Sequence, residues 1–286
     1  MAKNTQAKVL TKAARELMAE ERSLLLLPLL GSVLALLASL VVGTPAVLIL
    51  AAFRFNFHLQ QGNIVEGLLF FPVLIVSTFF VILCNSALAI AAGERLRNGT
   101  HLHVSDALAQ AWAKRRVIFK WSVFAAVVGT VLEQLRRFGI AGKIVQAIGG
   151  VAWAVAVFFI VPVLVFENLG PVAAAKRSSS LLVGRFGQVT RSQLRISLRI
   201  LGWGVLAMFA SFVGMVIVIA SLAGTPRNLP VTFIGVGVAL GSIFALFYLI
   251  IWSSTISTYL RTILYFYSSG HEMPNLGVDL SQVFTK

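Results

Sequence analysis

Residues 149–180 read GGVAWAVAVFFIVPVLVFENLGPVAAAKRSSS. The stretch is apolar up to Phe166, and the apolar run ends abruptly at Glu167-Asn168. Pro171 then follows at a position that suits the first residue of a helix, because the N–H that proline lacks would have no partner there. The stretch therefore predicts the end of a membrane-spanning helix, a polar exit, and a short basic helix on the membrane surface.

The composition of the whole chain is that of a membrane protein. Of its 286 residues, 58% are hydrophobic and 12% are charged, and the mean hydropathy is +0.90. Soluble domains carry about 25% charged residues, and a water-soluble fold could not bury this much apolar surface. We therefore expect an all-α fold, a polytopic membrane helix bundle with six transmembrane helices and amphipathic cytoplasmic helices at the interface.

Six segments are apolar and long enough to span a bilayer, which takes ~20 residues. The predicted membrane domain covers residues 24–267, with spans at 24–53, 64–92, 117–135, 144–166, 198–223 and 231–265. An amphipathic helix is predicted within residues 1–23 and a cytoplasmic tail over residues 268–286. The first span contains Gly43-Thr44-Pro45, which is expected to kink or end its helix.

The distribution of basic residues predicts the orientation. If the N-terminus is cytoplasmic, 19 of the 24 Lys and Arg residues lie on the inner side, and the outer side keeps Arg54, Arg136, Arg137, Lys143 and Arg227. Cytoplasmic loops of membrane proteins are enriched in Lys and Arg. We expect a multi-pass membrane protein with both termini in the cytoplasm. The same rule accounts for the net charge of +14, so no nucleic-acid partner is expected.

Two inner loops are predicted to contain surface helices. In the first, Ser105-Asp106 offers an N-cap, and the cluster Lys114-Arg115-Arg116 follows Trp112. In the second, Glu167 and Asn168 close the span, and Pro171 opens a helix that contains Arg177. An ion pair between Glu167 and Arg177 would pin this helix to the span. The alternatives are a role of Glu167 in binding a substrate or a lipid headgroup, and simple solvation of its carboxylate.

The sixth span carries a polar face. Ser254, Thr258 and Arg261 follow the i, i+4, i+7 spacing of one helical face, and Asn85 is a polar residue of the second span. These side chains could line a cavity, or they could hydrogen-bond to adjacent helices, which is the commoner use of polar residues in membranes. Four glycines around the third and fourth spans are expected to favour close helix approach: Gly129, Gly142, Gly149 and Gly150.

The sequence contains no clear catalytic or metal-binding constellation. His101 and His103 form its only close histidine pair, and no cysteine cluster or nearby acidic set completes a metal site. The single cysteine, Cys84, cannot form an internal disulfide. A glycine-rich phosphate loop, a serine elbow and paired catalytic carboxylates are also missing. We therefore expect no enzymatic activity and no cofactor.

Two runs of the sequence resemble a known family. The runs ALAIAAGERLRNGTHLHVSDALAQAW and AWAVAVFFIVPVLVFENLGPVAAAKRSSSLLVGRFG, with the adjoining spans, resemble an uncharacterised six-helix bacterial membrane family, a domain of unknown function. The segment VPVLVFENLGPVAAAKRSSSLL is also similar to the membrane domain attached to some glycerophosphodiester phosphodiesterases. The first resemblance implies a six-helix fold in a bacterial plasma membrane and no particular reaction. The phosphodiesterase activity is not expected, because the chain leaves no room for its soluble domain.

These observations predict a non-enzymatic, membrane-embedded binding or assembly module. It would recognise anionic lipid headgroups at the cytoplasmic face or a protein partner, including a second copy of itself. Each basic residue near an anionic surface contributes ~1 kcal/mol of attraction. The alternative is a small-molecule or ion transporter with a polar cavity near the sixth span, built on broken helices near Pro45, Pro72 and Pro162.

Overall fold

The computed structural model describes residues 22–57, 64–135, 138–185, 190–223, 229–271 and 273–274. The predicted helix of residues 1–23 and the predicted tail of residues 268–286 lie almost entirely outside the described residues. All regular structure among the described residues is helical, so the all-α prediction is confirmed.

Helices follow one another with short connections. A 3-10 turn, Arg22–Leu25, leads into α1 (Leu26–Phe57), which is followed by α2 (Ile64–Asn98), α3 (Val104–Ala113), α4 (Arg115–Leu135) and α5 (Gly139–Ala156). Next come the one-turn helix α6 (Ile160–Pro162), a π-helix (Val163–Glu167), α7 (Pro171–Arg185), α8 (Thr190–Ala223) and α9 (Leu229–Ser269).

Six of the described helices are long and apolar enough to cross a membrane, namely α1, α2, α4, α5, α8 and α9. They correspond to the six predicted spans, so the multi-pass membrane architecture is confirmed. Helices α1 and α2 pack together as one hairpin, and α8 and α9 as another. Helix α9 has 41 residues and is therefore ~60 Å long, about twice the ~30 Å of a hydrocarbon core. Part of α9 consequently extends beyond the bilayer.

The apolar core is concentrated at one end of the bundle. Its buried side chains come from the C-terminal halves of α2 and α9, from α3, from the start of α4, and from α6, the π-helix and α7. Leu24 of the 3-10 turn, Leu27 at the start of α1 and Phe159 just before α6 complete it. In contrast, large apolar residues of α8 and of the first half of α9 are exposed, among them Phe209 and Phe244. Such exposed faces suit contact with lipid. The two predicted surface helices of the inner loops, α3 and α7, both contribute to this packed end.

Helix α1 continues through Pro45, so the expectation that its helix could end there is not met. Just before the proline, the Thr44 hydroxyl donates a hydrogen bond to the Leu40 carbonyl at 2.6 Å. A bilayer offers no water to backbone groups freed by a helix end, which favours a continuous helix around a single proline.

Close helix approach occurs at two of the four predicted glycines, Gly142 and Gly149, and also at Gly214, which was not predicted. A Cβ at Gly129 or Gly150 would meet nothing within 4 Å, so the prediction is wrong for these two. A Cβ at Gly142 of α5 would clash with the Leu135 carbonyl of α4, and Gly149 faces Leu132 of the same neighbouring helix. Helices α8 and α9 also approach closely at Gly214, where a Cβ would lie 2.7 Å from the Ala239 backbone nitrogen. A small residue is therefore required at position 214.

Gly214→Ala is expected to lower the stability of the α8–α9 hairpin by ~1–3 kcal/mol, because the added methyl group must push two backbones apart. Gly237→Ala in α9 is the matched control, since a Cβ there meets nothing within 4 Å. Thermal unfolding of both variants in detergent micelles measures the difference. Equal stability of the two variants would contradict this close packing.

Candidate functional site

The sequence predicted one continuous fourth span over residues 144–166, but in the structure this span is interrupted. Helix α5 ends at Ala156, a turn covers residues 157–159, and α6 and the π-helix follow. Within the turn, the Phe159 N–H donates a hydrogen bond to Ser178 Oγ of α7 at 2.9 Å. Phe159 and Ser178 are both fully buried. Because a buried amide needs an acceptor, Ser178 supplies through tertiary packing the bond that an unbroken helix would have supplied locally.

The exit from the span is a left-handed turn. Asn168 follows the π-helix with φ 53° and ψ 35°, a conformation that Asn tolerates better than most residues. Pro171 is the first residue of α7, where the sequence predicted the surface helix to begin. The Ala174 N–H then donates to the Gly170 carbonyl at 2.8 Å. The chain thus changes direction within three residues.

Glu167 joins three helical elements. Arg177 Nε of α7 donates to both carboxylate oxygens of Glu167 at 3.0 Å, so the predicted ion pair is present. The Tyr265 hydroxyl of α9 donates to Glu167 Oε1, also at 3.0 Å. The side chain of Glu167 is 23% exposed and that of Arg177 is 42% exposed. We call Glu167, Asn168, Arg177, Ser178 and Tyr265 the joint.

Aromatic rings pack behind the joint. The Phe166 ring stacks on the Tyr265 ring, with 5.8 Å between centroids, and lies 5.0 Å from the Phe266 ring. A Cβ at Gly93 of α2 would lie 2.7 Å from Phe166 and 3.2 Å from Phe266. The two rings therefore occupy the volume that a side chain at Gly93 would need, and the end of α2 is packed against the joint.

One of the two hydroxyl groups on the predicted cavity face is used within α9. The Thr258 hydroxyl donates to the Ser254 carbonyl at 3.0 Å, and the neighbouring Thr255 and Thr262 make the same bond to the residue four positions earlier. These bonds join α9 to itself and not to an adjacent helix. Asn85 is part-buried, and its Oδ1 atom is buried without a hydrogen-bond partner among the described residues.

Arg261 is the exception on this face. Its guanidinium carbon lies 5.3 Å from the centre of the Phe158 ring in the turn that interrupts the fourth span. Its Nε atom is buried and has no hydrogen-bond partner among the described residues. A buried charge is unfavourable unless it is paired and hydrogen-bonded, and a cation–π contact contributes only ~0.5–2 kcal/mol. The described surroundings of Arg261 therefore compensate its charge only in part.

A second cluster of exposed side chains lies where α3 meets α4. Trp112, Arg115, Arg116, Phe119 and Lys120 are all exposed, and their spacing of three and four places most of them on one helical side. We call these five residues the α4 patch. The rings of Trp112 and Phe119 are 49% and 51% exposed. The patch therefore combines cationic groups with accessible aromatic surface.

The aromatic rings of the α4 patch pack against α2. The Phe79 ring of α2 makes edge-to-face contacts with the rings of both Trp112 and Phe119, at 6.2 Å between centroids. The Arg115 guanidinium lies over the Trp112 ring at 5.8 Å. Helix α3 begins at Val104 with His103 as its N-cap residue and without a side-chain cap bond, so the predicted cap at Ser105-Asp106 lies inside the helix instead.

Comparison with known families decides the family of the chain. A family of unknown function (DUF6159) matches residues 64–273. The chain belongs to this family. No curated protein and no solved structure matches it, and the local similarity to glycerophosphodiester phosphodiesterases gains no support.

The DUF6159 match covers both the joint and the α4 patch. Two residues of the joint were missed in the sequence, Ser178 and Tyr265. The sequence does carry a signal for Ser178, which stands at helical spacing from the apolar residues Ala174 and Leu181. All three lie on the buried face of α7. No local pattern marks Tyr265, which is 98 positions from Glu167.

Among the described residues, no group of three His, Cys, Asp or Glu side chains could hold a metal ion.

Proposed function

We propose that this DUF6159 protein is a non-enzymatic membrane module that binds anionic lipid headgroups at the cytoplasmic face of a bacterial plasma membrane. The observation that supports the proposal is the α4 patch, where three exposed basic residues accompany two exposed aromatic residues. Aromatic side chains prefer the headgroup level of a bilayer, and basic side chains at that level attract anionic lipids.

The rigid support of the patch favours a binding role over simple solvation. Lys114 alone separates α3 from α4. The position of the patch is therefore set by the span α4 and by the surface helix α3. Ala107 and Ala111 of α3 are fully buried, and Phe79 holds the aromatic rings. Within the described part of the chain, Arg115, Arg116 and Lys120 form no ion pair with an acidic residue. Their charges are therefore available to a headgroup.

The joint gives the same face a second basic element. The ion pair and the Ser178 bond hold α7 against the end of the fourth span, and Lys176 of α7 is exposed. In this proposal the joint positions α7 at the membrane surface and does not itself bind lipid. Recognition of a partner protein or of a second copy would use the same inner face.

Replacing the three basic residues of the α4 patch tests the proposal. The triple variant Arg115→Gln, Arg116→Gln, Lys120→Gln is expected to bind phosphatidylglycerol about 100-fold more weakly, since each basic residue contributes ~1 kcal/mol. Native mass spectrometry of the delipidated protein titrated with phosphatidylglycerol or phosphatidylcholine measures the affinities. Binding of phosphatidylcholine should be unchanged.

Lys143→Gln is the control, because Lys143 is an exposed basic residue of α5 at the predicted outer end. It should bind both lipids like the unmodified protein. If the unmodified protein does not distinguish the two lipids, or if the triple variant binds phosphatidylglycerol unchanged, the α4 patch is not a headgroup site.

The interrupted fourth span favours a second candidate function, a small-molecule or ion transporter, because broken helices build the substrate sites of many transporters. A water-filled cavity beside α9 would be required. A Ser254→Cys variant in a Cys84→Ala background tests for it with a membrane-impermeant thiol reagent. Labelling at position 254 would favour transport, whereas an unreactive thiol would favour the closely packed bundle and the lipid-binding proposal.

A further inference from the structure

Arg261 and the turn of residues 157–159 lie together inside the packed end of the bundle. Arg261 is one helical turn before Tyr265 in α9, so it lies ~6 Å from the joint along that helix, toward the membrane interior. Phe158 of the turn lies against its guanidinium at 5.3 Å. We propose that Arg261 is the anchor of a buried anion site that binds a phosphate group.

The charge of Arg261 lacks a counter-charge among the described residues. No acidic side chain in the described part of the chain pairs with it, and its Nε atom is buried without a hydrogen-bond partner. A buried charge is unfavourable unless it is paired and hydrogen-bonded. The planar guanidinium matches the oxygens of a phosphate through two parallel hydrogen bonds. A phosphate would therefore provide both the missing charge and the missing acceptor.

Ser257 offers a second group on the same face of α9. It precedes Arg261 by four positions, which places the two side chains next to each other. Ser257 is part-buried, and among the described residues its hydroxyl has no hydrogen-bond partner. Thr255, Thr258 and Thr262, in contrast, donate their hydroxyls to the backbone of α9. The hydroxyl beside Arg261 is thus available to a ligand.

The interruption of the fourth span forms one wall of this site. Irregular backbone at membrane depth is tolerated where it is buried in protein or lines a site. Ser178 Oγ of α7 accepts a hydrogen bond from the Phe159 N–H, and this bond fixes the turn that carries Phe158. The site is separate from the α4 patch, since none of its residues belongs to α3 or α4. A lipid headgroup or a soluble phosphate could supply the bound group.

Thermal unfolding of the delipidated full-length protein tests the site with three probes, namely phosphatidic acid, phosphatidylcholine and inorganic phosphate. We expect phosphatidic acid to raise the unfolding temperature of the unmodified protein. Arg261→Met should bind it at least about tenfold more weakly, while Arg261→Lys should retain most of the effect. Stabilisation by inorganic phosphate alone would support the site and assign it to a soluble anion.

The triple variant of the α4 patch separates this site from the proposed headgroup site. It should keep the stabilisation by phosphatidic acid that depends on Arg261. If Arg261→Met binds all three probes like the unmodified protein, the anion site is overturned, whatever the result for the α4 patch. If that variant does not fold, Ser257→Ala replaces it in the test. Weaker binding by Ser257→Ala supports the site, and unchanged binding overturns it.

Discussion

Replacing Glu167 with Gln is expected to lower the free energy of unfolding by ~2–3 kcal/mol. The substitution removes the charge that receives two bonds from Arg177 Nε and one from the Tyr265 hydroxyl. Breaking a buried ion pair costs ~3–5 kcal/mol. The expected value is smaller here because the Arg177 side chain is 42% exposed, and solvent screens exposed pairs.

Unfolding by heat or by SDS in mixed micelles measures this loss, together with the yield of folded protein. Glu94→Gln is the matched control, since Glu94 accepts an exposed hydrogen bond from Asn98 of its own helix. This control should change stability by less than ~0.5 kcal/mol. Unchanged stability and yield for Glu167→Gln would show that the ion pair does not pin α7 to the fourth span.

A double-mutant cycle apportions the effect within the joint. Arg177→Gln should cost about as much as Glu167→Gln, and the double variant should cost less than the sum, with a coupling of ~0.5–3 kcal/mol between contacting residues. Tyr265→Phe removes only the hydroxyl bond to Glu167, so its cost should be smaller, ~1–2 kcal/mol. Strict additivity of Glu167→Gln and Arg177→Gln would mean that their contact contributes nothing.

Replacing Ser178 with Ala is expected to cost ~1–3 kcal/mol, because it removes the hydroxyl that accepts the hydrogen bond from the buried Phe159 N–H. Ser178 and Phe159 are fully buried, so water cannot replace the lost bond. Hydrogen exchange at the Phe159 amide should also become faster, since the turn loses the bond to α7. Thermal unfolding and amide exchange in micelles measure the two effects independently.

Ser180→Ala is a control within the same helix. Ser180 is exposed, and its hydroxyl donates to the Arg177 carbonyl of α7 itself. This variant should change stability by less than ~0.5 kcal/mol and leave exchange at Phe159 unaltered. If both serine variants behave alike, Ser178 does not hold the interrupted span.

The membrane fold could be predicted because its signals are local. A span requires only length and apolar composition. The surface helix could also be predicted from neighbouring residues alone, because Pro171 marks its start and Arg177 lies within it. The ion pair followed from the same local spacing of ten positions between Glu167 and Arg177. The family resemblance rested on these segments too, and the match to DUF6159 confirms it.

The interruption of the fourth span was not predictable from hydropathy. The turn at residues 157–159 contains only apolar residues, and the bond that stabilises it comes from Ser178, 19 positions later. Tyr265 reaches Glu167 across 98 positions, and no short pattern encodes such a contact. The glycine predictions failed for Gly129 and Gly150 because close approach depends on which helices are neighbours, and composition does not specify this.

The identity of the lipids that remain bound to the purified, unmodified protein tests the central claim most directly. Mass spectrometry of lipids extracted from the protein, compared with lipids extracted from the membranes of the same cells, gives the enrichment. The lipid-binding account predicts anionic lipids well above their share of the bulk membrane. A bound lipid composition equal to that of the bulk membrane would contradict it.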